Sequence, residues 1–145
     1  MPPLPLKNDS ANEALQKVLS ICWGLIIVSA ALLIIYFAGA ERYKDILFLD
    51  DYFFGIKTDL FPFLYFVDIF VLSSVILLLG KKNSYGLLLS VVWAFINLLE
   101  NTFDIFTFSS YPHIIIEELM FVIIYSYLLW LSLDLIRGFR NNNYI

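Results

Sequence analysis

Four polar side chains line one face of the third apolar segment of this chain: Asn97, Glu100, Asn101 and Asp104. Their spacing is i, i+3, i+4 and i+7, which on a helix confines them to about 100° of arc. The segment around them, YGLLLSVVWAFINLLENTFDIF, otherwise reads as a bilayer-spanning helix. A charge in hydrocarbon costs several kcal/mol unless it is neutralised or paired, so the stripe faces a bundle interior or serves a function. Asp68 in the second apolar segment and Glu117 and Glu118 in the fourth add further carboxyls, and His113 lies one turn before Glu117.

Carboxylates without basic partners have few chemical outlets. Those held in a low dielectric cannot all ionise, so some are protonated or share a proton. A cation is the alternative source of the missing charge. Carboxylate and amide oxygens suit hard cations such as Na⁺, Ca²⁺ or Mg²⁺ better than zinc. Acid–base chemistry on an apolar substrate is the third outlet. Glu100 as proton donor and Asp68 as base would suit isomerisation of a lipid-like molecule. The plainest reading competes with all three: Asn, Ser and protonated Asp glue membrane helices together at ~0.6–2 kcal/mol per bond. The stripe continues along the same face as Trp93, Ser90 and Gly86, and Gly86 and Ser90 have a small-xxx-small spacing. That continuity looks like a packing seam.

The elements that must position these groups follow from composition. Of 145 residues, 61% are hydrophobic and only 15% charged; soluble domains run nearer ~45–50% and ~25%. The mean hydropathy is +0.82. The apolar residues fall into four runs, at 15–38, 59–80, 85–107 and 113–137. Each is close to the ~20 residues an α-helix needs to cross ~30 Å of hydrocarbon. The runs do not alternate, and four spans cannot close a β-barrel. The expectation is a single all-α domain over 1–145, an integral membrane antiparallel four-helix transmembrane bundle.

The connections carry their own signals. The turns GKKNSYG and FSSYP are short, so spans two and three, and spans three and four, are antiparallel neighbours. Pro112 stands at the start of span four, where a helix tolerates it. Ahead of span one, Ser10 or Asn12 offers an N-cap, and a short interfacial helical turn is expected there. Ala38-Gly39-Ala40 resembles a cleavage site, but the preceding apolar run is longer than a typical h-region of ~7–15 residues, so span one is read as retained. The loop 41–57 mixes charges with Tyr43, Phe48, Tyr52, Phe53 and Phe54, aromatics suited to headgroup depth. It is expected to form a surface helix or a re-entrant turn. Lys7, Lys17, Lys81, Lys82, Arg137 and Arg140 lie on one side of the bundle, and Arg42, Lys44 and Lys57 on the other. The basic excess puts both termini in the cytoplasm and the 41–57 loop outside, in a multi-pass protein of the cell membrane.

At ~1.5 Å per residue, Asn97 lies ~18 Å from Tyr85, and Asp68 lies ~18 Å from Gly80. The two therefore share a depth. Glu100, Asn101 and Asp104 climb outward from there, and Glu117 and Glu118 lie about one turn inside the outer end of span four. The expected site is an acidic pocket in the outer half, lined by Asp68, Asn97, Glu100, Asn101, Asp104 and Glu117, with His113 and Glu118 secondary.

Several classes are discounted. The net charge of −4 does not suit nucleic acid. One histidine rules out bis-histidine haem ligation and histidine-rich di-iron sites within one chain. No Walker A, HExxH, CxxC or GxSxG motif is present. The single cysteine, Cys22, excludes an intramolecular disulfide and reads as a packing residue. No metal site and no cofactor is assigned.

Asp68 in FVDIFVLSSVILLLG, the basic turn KKN and Tyr85-Gly86 opening LLLS resemble a pattern in uncharacterised small bacterial membrane proteins with four spans. The resemblance covers spans two and three and implies no activity. Sterol-isomerase-like four-helix membrane proteins are similar in architecture alone. The leading functional reading is a non-enzymatic small membrane protein, embedded in the lipid bilayer. It binds a lipophilic ligand or hard cation, or packs as an accessory subunit against another membrane protein or a second copy. The alternative is a membrane isomerase using paired carboxylates.

Overall fold

The computed structural model describes residues 9–38, 52–53, 56–57, 61–107 and 112–140. Four helices carry the fold: α1 (Asp9–Phe37), α2 (Phe61–Gly80), α3 (Tyr85–Thr107) and α4 (Pro112–Arg140). All four are long and apolar enough to cross a membrane. The chain is a membrane helical bundle in which α1 packs on α2, α2 on α3, α3 on α4, and α4 closes the ring against α1. The α3–α4 contact is the most extensive and the α1–α4 contact the least.

Helix α1 starts at Asp9 and runs without a break to Phe37. Ser10 and Asn12 therefore lie inside it, and the residues before Asp9 lie outside the described residues. An exposed Glu13–Lys17 pair at i, i+4 (2.8 Å) decorates its first turns. Within the 41–57 loop, the described residues do not form the expected surface helix. Tyr52–Phe53 (β1) and Ile56–Lys57 (β2) pair antiparallel, with Tyr52 opposite Lys57. The rest of that loop lies outside the described residues.

The bundle is apolar outside as well as inside. Phe70 and Phe106 are 73% and 77% exposed, and Trp23, Phe63, Ile123 and Trp130 also face outward. Such a surface is solvated by lipid tails, so helix association cannot rest on the hydrophobic effect; close van der Waals packing and interhelical bonds take its place. Small residues accordingly lie at the interfaces: Ala11, Ser29, Gly86, Ser90, Ala94 and Ser132 are buried. Leu72, Val75, Leu79, Leu87, Leu128 and Leu135 fill the space between them. Cys22 is fully buried among them, as a packing residue. Hydroxyls without an interhelical partner bond their own helix, as Ser74 does to the Phe70 carbonyl (2.8 Å) and Thr107 to the Phe103 carbonyl (3.0 Å).

The α2–α3 turn is built from two caps. The Asn83 amide donates to the Leu78 carbonyl and the Lys82 amide to the Leu79 carbonyl, the paired bonds of a Schellman motif. Lys82 occupies its left-handed position, with φ 53°. Asn83 then caps α3, its Oδ1 accepting from the Tyr85 amide at 3.0 Å. A non-glycine residue in this region costs roughly 1–2 kcal/mol. Lys82→Gly is expected to stabilise the protein by about 0.5–1 kcal/mol, read as a higher unfolding midpoint in detergent.

Candidate functional site

Polar groups at mid-bundle converge on one carboxylate. Asp68, 8% exposed, projects from α2. Its Oδ2 accepts from Ser29 Oγ of α1 at 2.5 Å. Its Oδ1 accepts from the Trp93 indole N–H of α3 at 2.7 Å, and from the Tyr125 hydroxyl of α4 at the longer distance of 3.5 Å. Each donor comes from a different helix, so one side chain joins all four. A carboxylate offers about four lone-pair sites, and three of them are engaged here.

The α3 stripe divides into two parts. Asn97 Nδ2 donates to the Trp93 carbonyl at 2.9 Å, and Asn101 Nδ2 donates to the Asn97 carbonyl at 2.5 Å. Both amides thus satisfy backbone within α3. Asn101 Nδ2 also reaches Glu100 Oε2 at 3.1 Å. Glu100 hydrogen-bonds Asp104 and lies within electrostatic range of Glu118 on α4. Asn101 and Asp104 are buried, which puts this group inside the bundle.

The two helices meet through matching heptad lines. Ser90, Asn97 and Asp104 are spaced by seven on α3, and Glu118, Tyr125 and Ser132 by seven on α4. Run antiparallel, the lines pair at both ends. Ser90 Oγ and Ser132 Oγ are 2.8 Å apart, and Glu118 is within electrostatic range of Glu100. A period of 3.5 keeps such a seam facing its partner over several turns. Tyr125, between the ends of its line, reaches Asp68 with its hydroxyl (3.5 Å) and is within electrostatic range of Glu100.

Of the expected pocket residues, Asp68 takes interhelical hydrogen bonds, Asn97 and Asn101 bond within α3, and Glu100 lies beside Asp104. Glu118 approaches Glu100; the side chains of Glu117 and His113 lie outside the described residues. Ser29, Tyr125 and Ser132 escaped the sequence reading, and Trp93 entered it only as packing. The heptad from Glu118 through Tyr125 to Ser132 was the available signal for two of them. Among the described residues, no three His, Cys, Asp or Glu side chains converge to hold a metal ion. A groove at the other face, between α1 and α2, is lined by Leu33, Ile34, Phe37 and Phe66 and is apolar.

Fold and site together define a four-span membrane bundle with a polar interior seam. Comparison with protein families, curated proteins and solved structures finds no match to this chain.

Proposed function

We propose that this protein is a non-enzymatic membrane protein that binds a lipophilic cation, an amphiphilic amine, at the Glu100–Asp104–Glu118 cluster. One observation supports the reading: Glu100 lies beside Asp104 within α3 and within electrostatic range of Glu118 on α4, and neither helix has a lysine or arginine before Arg137. An ammonium brings one positive charge and three N–H donors to this acceptor set. Its apolar part is solvated by the lipid that surrounds the bundle. A hard cation is the weaker candidate, since it needs convergent inner-sphere ligands. The isomerase alternative is disfavoured because Asp68, its base, is occupied by donors on both oxygens. The same reading keeps both termini and the α2–α3 turn cytoplasmic, on the excess of basic residues on that side.

The test is thermal unfolding in detergent with a long-chain primary amine, the alcohol of equal chain length serving as control. A ligand bound to the native state alone raises the midpoint by mass action, about 2.7 kcal/mol at a hundredfold excess over Kd. The amine is expected to raise the wild-type midpoint, to raise that of Asp134→Asn equally, and to leave Glu100→Gln unmoved. Equal shifts in both variants, or an equal shift with the alcohol, would overturn the proposal.

A further inference from the structure

We infer that Asp68 is a reversible proton-binding site, with the proton carried on Oδ2 between Asp68 and Ser29 and reported by Trp93. The asymmetry of the donor set supports this. Oδ1 faces the Trp93 indole, which can only donate, so that oxygen stays an acceptor in every state. Oδ2 faces a hydroxyl, which can donate or accept. In the ionised state Ser29 donates to Oδ2. When a proton arrives from solvent, Oδ2–H donates to Ser29 Oγ, and the serine hydrogen turns to a carbonyl one turn earlier in α1, a bond open to serine in any helix. One proton is gained, no covalent bond to carbon changes, and all four helices stay joined.

The surroundings leave this proton a defined place. The titratable groups near Asp68 are the Cys22 thiol from α1 and the Tyr125 phenol from α4, with Glu100 and Tyr65 acting on Tyr125. From α3 the facing group is the non-titrating Trp93. Among the described residues no lysine, arginine or histidine is one of them, so no fixed positive charge there locks Asp68 as an anion. Fully buried Leu79, Leu87, Leu128 and Leu135 surround the seam toward the α2–α3 turn. Tyr125 reaches Asp68 with its hydroxyl (3.5 Å) and is within electrostatic range of Glu100.

Trp93 fluorescence tests the inference directly. Trp23 and Trp130 lie on the lipid-facing surface, so Trp23→Phe/Trp130→Phe leaves Trp93 as the sole tryptophan. In that background the emission is expected to follow pH through a single-proton transition that reverses on back-titration. Asp68→Asn should abolish it. Asparagine reproduces the protonated arrangement, with its oxygen toward Trp93 and its amide toward Ser29, so the variant is expected to fold. Circular dichroism verifies that, and Ser29→Ala, which keeps Asp68, should retain a transition at a different midpoint. Glu100→Gln should also retain it, which separates this site from the amine-binding cluster. A flat emission in the parent, or a transition that persists in Asp68→Asn, would overturn the inference.

Discussion

Replacing Asp68 with alanine is expected to cost the bundle about 2–4 kcal/mol, the largest loss from any single polar side chain. The figure follows from three interhelical bonds at ~0.6–1.7 kcal/mol each. Two are short, from Ser29 and Trp93, and the Tyr125 contact is longer. Alanine also leaves a buried indole N–H with no acceptor, and a stranded donor costs more than a bond absent from both sides. Because the partners lie on α1, α3 and α4, the loss is expected to be global. Urea or dodecyl sulfate unfolding in mixed micelles, followed by circular dichroism, reads it as a lowered midpoint. Asp68→Asn keeps an acceptor for Trp93 and is expected to lose less than half as much.

Gly86→Val is the second large effect, at about 2–3 kcal/mol. The two-cap turn folds the last turn of α2 onto the first turn of α3. A Cβ at Gly86 would meet the Leu79 Cγ and Cδ2 at 2.8 Å and the Leu78 Cβ at 3.0 Å. Leu79 is 1% exposed, so its side chain cannot turn out to solvent or lipid, and the Leu78 Cβ cannot move without its backbone. Overpacking of this kind typically costs ~1–3 kcal/mol, and a branched side chain lies at the upper end. Gly24→Ala is the control, since a Cβ there meets nothing within 4 Å. In that helix interior alanine is expected to gain about 0.5–1 kcal/mol. Opposite signs at two glycines, measured in one unfolding series, would separate close helix approach from propensity.

The bundle was legible in the sequence because one physical constraint dominates it. A backbone in hydrocarbon must satisfy its own polar groups, so ~20-residue apolar runs become helices. The short turns at 81–84 and before Pro112 then fixed the antiparallel neighbours. The depth match of Asp68 to span three was legible from the rise per residue, and its bond to Trp93 agrees with it. The partner set was not. Ser29 and Tyr125 are single polar residues in apolar runs, and periodicity alone cannot say which helix a lone serine faces. The backbone bonds of Asn97 and Asn101 were hidden for a related reason. An amide on a helix can satisfy itself on the carbonyl one turn back, and the sequence does not distinguish that from an interhelical bond. Lys82 at the left-handed turn position hid the Schellman cap, which glycine would have announced.

The polar residues of the interior thus have two separate tasks. Asp68 bonds to the other three helices, and Glu100, with Asp104 and Glu118, is proposed to bind a lipophilic cation. One measurement tests that division most directly: the unfolding midpoint of wild type, Asp68→Ala and Glu100→Gln, each with and without a long-chain alkylamine. Asp68→Ala is expected to unfold earlier and still gain stability from the amine. Glu100→Gln is expected to unfold near the wild-type midpoint and gain nothing. Loss of the amine response in Asp68→Ala with its retention in Glu100→Gln would contradict the account.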